Sequence, residues 1–126
     1  MINGIGIDLI EVARIAQVMQ RTPRFIDRVF SPTEIEYCQR QALPAQHFAA
    51  RFAAKEAFFK ALGTGYREGL SFNEISIEVD PLGKPIMLLR GKSAEIAHQK
   101  GCEAIHLSLS HTADYACAVV LIEKLT

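Results

Sequence analysis

The start of the chain alternates apolar and small residues in a pattern that predicts a buried β-strand over residues 2–10. In residues 4–9, GIGIDL, isoleucine and leucine stand at every second position. Gly4 and Gly6 share the other face, where another backbone or a ligand can approach closely. Asp8 follows on that face, and a carboxylate in an apolar strand is costly unless it is paired or bound.

Residues 11–62 carry the apolar period of helices, interrupted by turn signals. Ser31 is followed three positions later by Glu34, which is the capping-box pattern for a helix that runs to about Gln41. A segment rich in alanine and phenylalanine then stops at Gly63, a residue typical of helix ends. We therefore expect helices over residues 11–21, 31–41 and 45–62, and a short restart in which Thr22 is the cap and Pro23 the first helical residue.

The second half of the chain alternates between strand patterns and turn signals. The segment 71–79 alternates strictly, as a half-exposed strand does, and DPLG at 80–83 is a turn that makes a hairpin with the next strand. The predicted elements are strands over 71–79 and 84–89, a short helix capped by Ser93 and ended by Gly101, and strands over 104–110 and 115–123.

The order β-α-α-α-β-β-α-β-β predicts one α+β domain over residues 1–126, a mainly antiparallel sheet backed by helices. The 126 residues are 49% hydrophobic and 22% charged, which excludes a disordered chain. The 14 basic and 14 acidic residues give a net charge of zero, so the protein is not a globally basic nucleic-acid binder. No apolar run approaches the ~18 residues that cross a bilayer. The three cysteines lack metal-ligand spacing, so we expect reduced thiols and a cytoplasmic protein. The charge balance and the short apolar runs predict no nucleic-acid and no membrane partner.

The helical segment 45–62 carries the first candidate for chemistry. Glu56 and Lys60 are four residues apart and share a helix face, a spacing that by itself is typical of a surface salt bridge. Phe52 and Phe59 border this pair, which favours a cleft edge instead. A carboxylate there suits Mg²⁺, which takes oxygen ligands and phosphate oxygens. With Asp8 as a second ligand, the sequence predicts a magnesium site of two carboxylates.

Two turns are weaker candidates for phosphate binding. The loop Gly63-Thr64-Gly65 could offer backbone N–H groups, although a glycine after a helix is usually its C-cap. His111 follows a strand and is either a solvated turn residue or a phosphate donor and proton-transfer group.

Four arginines, balanced by Asp27 alone, lie between residues 12 and 30. They form either a solvated helix face or a docking surface for an acidic partner, because apolar residues interleave with the charges. Arginine without lysine favours recognition of carboxylate or phosphate. The arginines are Arg14, Arg21, Arg24 and Arg28, and the interleaved apolar residues include Phe25 and Ile26.

Five short motifs together carry a resemblance to a known family. They are GIGID at 4–8, RFAAKEAFFK at 51–60, GTG at 63–65, GKP at 83–85 and SLSHT at 108–112. In this order and spacing the chain resembles the holo-acyl-carrier-protein synthases, the small bacterial-type branch of the 4′-phosphopantetheinyl transferases. The resemblance runs from residue 2 to about residue 124.

The resemblance implies the transfer of phosphopantetheine from coenzyme A to a serine of apo-acyl carrier protein, with release of adenosine 3′,5′-bisphosphate, in support of fatty acid biosynthesis. It implies that Asp8 and Glu56 hold Mg²⁺ with the coenzyme A pyrophosphate and that Lys60 contacts the phosphate under attack. A metal-bound water, Glu56 or Lys60 could take the proton of the serine.

The same resemblance implies binding surfaces and an assembly. Family members of this length are homotrimers with each active site between two subunits. Relatives can carry basic residues just before the long helix, whereas residues 41–47 here contain neither Lys nor Arg, so nucleotide affinity rests more on Arg51, with His47 a doubtful substitute. The implied contacts are Arg51, Lys60, Gly63, Gly65 and His111 for coenzyme A, and Arg14, Met19, Arg21, Arg24, Phe25 and Ile26 for the acyl carrier protein.

Two other functions remain open on the residues alone. Another Mg²⁺-dependent enzyme, such as a phosphohydrolase acting on nucleotides, would use the carboxylates and Lys60 but would not need the arginine-rich helix. A non-catalytic module that binds acidic partners would need the arginines and leave Asp8 unexplained.

Overall fold

The structure, a computed structural model, describes residues 1–64 and 68–125. No helix within these ranges has the length and apolar character needed to cross a membrane. In chain order the elements are β1 (Ile2–Glu11), α1 (Val12–Arg21), α2 (Phe25–Val29), α3 (Pro32–Gln39), α4 (Pro44–Leu62), a 3-10 turn (Phe72–Glu74), β2 (Ile75–Val79), β3 (Pro85–Leu89), α5 (Gly91–Gln99), β4 (Ala104–His111) and β5 (Tyr115–Glu123).

The strands pair antiparallel throughout, and helices pack on them, so the predicted α+β class is confirmed. They form two sheets: a three-stranded sheet in the order β1-β5-β4 and a hairpin of β2 and β3. The amino-terminal strand therefore pairs with the carboxyl-terminal one, with Asp8 opposite Ala118, and both β1 and β4 are edge strands of the larger sheet.

Three predicted boundaries were wrong, and at α5 a side chain distant in sequence is the reason. The restarted helix begins at Phe25 with Arg24 as its N-cap, not at Pro23. Strand β2 starts only at Ile75, after the 3-10 turn. Ser93 lies inside α5, where its hydroxyl donates to Glu74 at 2.6 Å.

The carboxylate of Glu74 replaces Ser93 as the cap of α5. It accepts hydrogen bonds from the backbone N–H groups of Lys92 at 3.3 Å and of Ser93 at 3.1 Å. The Ser93 hydroxyl and these N–H groups lower the pKa of Glu74, because each favours the ionised carboxylate. A carboxylate from the preceding 3-10 turn thus joins α5 to the β2–β3 hairpin.

The long helix α4 packs directly on β1 through the two glycines. A Cβ at Gly6 would lie 1.9 Å from the carbonyl oxygen of Ala57, and one at Gly4 would lie 2.0 Å from that of Ala61. No larger residue fits at either position without moving the helix. Because side chains alternate along a strand, Asp8 faces α4 as well, just beyond this close contact.

A buried ion pair ties α4 to the rest of the helical layer. Lys55 and Glu34 are both 0% exposed, and Lys55 Nζ lies 2.7 Å from Glu34 Oε1. The ammonium also donates to the carbonyl oxygens of Val29 and Phe72, at 2.5 and 2.9 Å. Burial lowers the pKa of Lys55, and Glu34 opposes that shift.

Glu34 has further partners, so its charge is well satisfied. The predicted capping box is present: the Ser31 N–H donates to Glu34 Oε1 at 2.9 Å, and the Glu34 N–H donates to the Ser31 hydroxyl at 3.2 Å. The second carboxylate oxygen accepts from the N–H of Ile77 in β2 at 2.9 Å. One carboxylate therefore joins α3, α4 and β2.

Replacing Lys55 by methionine should lower the free energy of unfolding by about 3–5 kcal/mol, because it leaves a buried carboxylate without its cation. The double variant Lys55→Met/Glu34→Gln should lose less, since no buried charge remains and the single amide oxygen still accepts from either Ser31 or Ile77. Urea unfolding followed by circular dichroism measures both. Lys84→Met, at an exposed turn residue, is the control, and equal losses in the single and double variants would contradict the role of the buried charge.

Candidate functional site

Asp8 and Lys60 meet where β1 passes α4. Lys60 Nζ donates to Asp8 Oδ1 at 3.2 Å and to the carbonyl oxygen of Ile7 at 3.0 Å. The side chain of Asp8 is 17% exposed and that of Lys60 is 56% exposed, so the pair lies at the surface end of the β1–α4 contact.

Glu56 completes a cluster with Asp8 and Lys60. Burial raises the pKa of Glu56, and the negative charge of Asp8 raises it further, whereas Lys60 and Arg14 act in the opposite direction. Two carboxylates and two cations therefore share one electrostatic environment. The structure brings together the three residues to which the sequence assigned the chemistry, and Arg14 of α1 joins them.

The cluster fits a hard divalent cation. It offers two carboxylates whose mutual repulsion a cation would relieve. Within the described ranges no set of three or more His, Cys, Asp or Glu side chains is placed to hold a metal. Mg²⁺ needs no larger set, because it is usually held by one or two carboxylates together with waters and substrate phosphates. Asp8 and Glu56 are the residues that would hold it.

A cavity of about 500 Å³ lies on the Phe52 side of α4. Phe52 stacks on Phe72 with ring centroids 5.5 Å apart, and Phe25 of α2 lies 6.0 Å from Phe52. The described residues that line this cavity do not include Asp8, Glu56 or Lys60, so a cleft edge at the charged pair stays a prediction. Phe59 is buried in the core, and its ring centroid lies 5.0 Å from that of Phe72.

The arginine-rich face extends over two helices rather than one. Arg14 and Arg21 lie on α1, and Arg24 caps α2. All of these arginines are exposed, and the apolar residues among them are half-buried, so the face offers charge with apolar contacts. The half-buried residues are Met19, Phe25 and Ile26.

Arg51 and His111 meet in a second cluster, away from the carboxylates. Arg51 is buried, with its guanidinium carbon 4.3 Å from the centre of the Tyr37 ring. The rings of His47 and His111 are 5.1 Å apart. These four side chains line a cavity of about 220 Å³, which the GKP turn between β2 and β3 closes on one side.

The two clusters lie on opposite faces of α4. Arg51 and Lys60 are nine residues apart, which is about 180° around a helix and about 14 Å along it. The strand residues of the two clusters are separated as well. Strand β5 lies between β1, which carries Asp8, and β4, which carries His111. The structure therefore does not bring the predicted coenzyme A contacts Arg51 and His111 together with Lys60 in one chain.

The glycine loop after α4 is described only in part. Gly63 has φ +75° and closes the helix, with its N–H donating to Lys60 and that of Thr64 to Phe59. Both N–H groups are thus used by the helix end. Gly65 lies outside the described residues, and phosphate contacts of Gly63 and Gly65 stay a prediction.

Sequence reasoning did not single out Lys55 or Tyr37. It named His47 only as a doubtful substitute for basic residues. Lys55 had a signal, since its neighbours one turn away on the helix include Phe52 and Phe59, so a cation there faces the core. Tyr37 had none, because nothing in the pattern of α3 shows that its ring lies beneath Arg51.

Comparison with known proteins identifies the family of this chain. Residues 4–120 match the 4′-phosphopantetheinyl transferase superfamily. The holo-[acyl-carrier-protein] synthase of Syntrophus aciditrophicus is 46% identical over 126 residues, 99% of this chain and 98% of the relative. The crystal structure of that synthase from Neisseria meningitidis has a TM-score of 0.89 at 37% identity, covering 98% of this chain and 100% of the other. The Bacillus anthracis synthase, in complex with CoA (3′,5′-ADP), has a TM-score of 0.82 at 35% identity and covers 99% of both chains.

The chain belongs to the 4′-phosphopantetheinyl transferase superfamily. Within that superfamily its relatives are holo-[acyl-carrier-protein] synthases matched over their full length, so it is a phosphopantetheinyl transferase enzyme of that type.

Changing Asp8 to asparagine should lower the pKa of Glu56 toward its usual range, because one of the two causes of its rise is removed. Lys60→Met should raise it further. The carboxyl carbon of Glu56, followed by NMR titration in the presence of chelator, measures both shifts. Glu95→Gln on α5 serves as the control, and an unchanged Glu56 pKa in Asp8→Asn would show that the two carboxylates do not interact.

Proposed function

We propose that the chain transfers the 4′-phosphopantetheine group of coenzyme A to a serine of apo-acyl carrier protein in a Mg²⁺-dependent reaction that releases adenosine 3′,5′-bisphosphate. The observation that carries the proposal is the cluster of Asp8, Glu56 and Lys60 directly beside Arg14, the first residue of the arginine-rich face. The relative whose structure contains coenzyme A supports the choice of donor.

The residues have separable roles. Asp8 and Glu56 would hold Mg²⁺, which would supply charge neutralisation at the pyrophosphate. Lys60 lies beside them, with its side chain 56% exposed, and would contact the phosphate under attack. Such preorganised charges stabilise the negative charge of the leaving nucleotide.

The arginine-rich face selects the acceptor. An acyl carrier protein is acidic, so exposed arginines would steer it, while Met19, Phe25 and Ile26 would supply apolar contacts. A nucleotide phosphohydrolase would use the same carboxylates and leave this face without a purpose. A binding module without catalysis would leave the repulsion between Asp8 and Glu56 unexplained.

The free thiols are consistent with a reducing compartment. The described cysteines are free, and burial raises the pKa of the Cys38 thiol to about 12, so it is unreactive. We place the reaction in the cytoplasm, in support of fatty acid biosynthesis.

Incubation of apo-acyl carrier protein with this chain, coenzyme A and Mg²⁺ should add one phosphopantetheine unit to its intact mass, and chelator should prevent this. Glu56→Gln should lower turnover at least about 100-fold. Reversing the charge of Arg21 and Arg24 to glutamate should raise KM for the carrier at least about tenfold with a smaller effect on kcat, since both are exposed and neither is among the charges that shift the pKa of Glu56.

Arg90→Glu, which changes an exposed arginine far from α1, is the matched control. If both charge reversals leave turnover unchanged while Glu56→Gln is inactive, the acceptor does not dock on α1 and α2. Hydrolysis of nucleotides without transfer would favour the phosphohydrolase.

The complete active site would form between two copies of the chain in a homotrimer. The two clusters face opposite sides of α4, so one nucleotide cannot reach both in a single chain. The outer face of β1 is also apolar and uncovered: Ile5, Ile7 and Leu9 are 65, 63 and 66% exposed. Leu121, Val119 and Cys117 of β5 lie opposite them, and such a face on an edge strand is typical of a protein interface.

Two inactive variants should restore activity when they are produced together. Arg51→Ala removes the arginine of the second cluster, and Glu56→Gln removes a carboxylate of the first. A shared site is intact when one chain supplies Arg51 and its neighbour supplies Glu56, so random mixing leaves roughly a quarter of the sites intact. Turnover of the co-expressed variants should approach that fraction of the unmodified enzyme, and light scattering should show a trimer. No recovery in trimers that contain both variants would show that each chain uses its own two clusters.

A further inference from the structure

The second cluster has the composition of an anion-binding site. Arg51 is 4% exposed, and its Nε atom is buried without a hydrogen-bond partner among the described residues. Its Nη1 atom has only a long contact, 3.4 Å, with the carbonyl oxygen of His47. A buried guanidinium normally has its donors satisfied, so this one points to an acceptor from outside the chain.

The surroundings of Arg51 fix the sign of that acceptor. None of the described residues that line the cavity is Asp or Glu. Tyr37 covers the face of the guanidinium, and the two histidines approach from α4 and from the end of β4. The site therefore offers one permanent cation and two groups that can become cations.

We infer that His47 is a ligand, together with Arg51 and His111, for a phosphate monoester of the donor nucleotide, and that His47 takes up a proton when this phosphate binds. The inference rests on the proposed function for the identity of the donor. His47 lies one helical turn before Arg51, in a stretch, residues 41–47, that contains neither Lys nor Arg.

The proton uptake follows from the groups that face His47. These are Tyr37 from α3, Arg51 on its own helix and His111 from β4, while the β2–β3 turn presents Gly83 and Pro85 to the cavity. Burial lowers the pKa of His47, and the charges of His111 and Arg51 lower it further, so the ring is neutral in the empty site at neutral pH. A dianionic phosphate would reverse the balance and favour the imidazolium.

The expected signature is a nucleotide affinity that falls as pH rises. Above about pH 7 a phosphate monoester is already dianionic, because its second pKa is about 6. A further rise in pH then disfavours only the protein groups that must be protonated. The affinity should fall by up to about tenfold per pH unit for each proton taken up.

Calorimetry on the intact chain with coenzyme A and with 3′-dephospho-coenzyme A tests the inference. Coenzyme A should bind at least about tenfold more tightly at pH 7, and this ratio should shrink in His47→Gln. Binding enthalpies in buffers of different ionisation enthalpy should show proton uptake with coenzyme A at pH 7.5, smaller by up to one proton in His47→Gln. His98→Gln, an exposed histidine on α5, is the matched control.

The outcomes separate the inference from the proposed function. If coenzyme A binds and reacts but His47→Gln keeps both the affinity ratio and the proton uptake, His47 is not a ligand and the proposed function stands. The same holds if dephospho-coenzyme A binds equally well, since the site then takes no monoester. If coenzyme A does not bind at all, the proposed function itself fails. Inorganic phosphate, titrated alone, tests whether the site takes the free ion without the nucleotide.

Discussion

The contact between the backbones of β1 and α4 is the constraint on which the rest of this structure depends. The helix lies so close to the strand that a methyl group at Gly4 or Gly6 would lie 2.0 or 1.9 Å from a helix carbonyl oxygen, well inside van der Waals contact. Only this approach places Asp8 within hydrogen-bond reach of Lys60 and in electrostatic contact with Glu56. The paired glycines are thus part of the site although they carry no side chain.

A single helix carries both halves of the chemistry and also keeps them apart. Because α4 is surrounded by other elements, its faces serve different purposes: Glu56 and Lys60 face β1, Arg51 faces α3 and β4, and Lys55 faces the core. The separation of the Arg51 face from the carboxylate face is the physical reason for the assembly proposed above. If each face is half of a site, a neighbouring copy would complete it.

Charged residues in this protein are buried where they hold elements together and unpaired where a ligand is expected. Glu34 and Lys55 are wholly buried, yet every strong donor and acceptor between them has a protein partner. Arg51 is nearly as buried, and its Nε has no partner in the part of the chain that the structure describes. Similar burial thus marks a structural pair in one case and a binding residue in the other, and the difference lies in the hydrogen bonds.

The sequence by itself determined the class of fold, most of the helices and strands, the capping box of Ser31 and Glu34, and the set of Asp8, Glu56 and Lys60. These depend on local periodicity, on cap chemistry and on motif spacing, all of which can be read along the chain. Only the tertiary structure decided that the strands form two sheets, that Glu74 caps α5 in place of Ser93, and that Lys55 is buried against Glu34. It alone placed Arg51 and Lys60 on opposite sides of α4 in separate environments, because which partner a helix face meets depends on elements far away in the sequence.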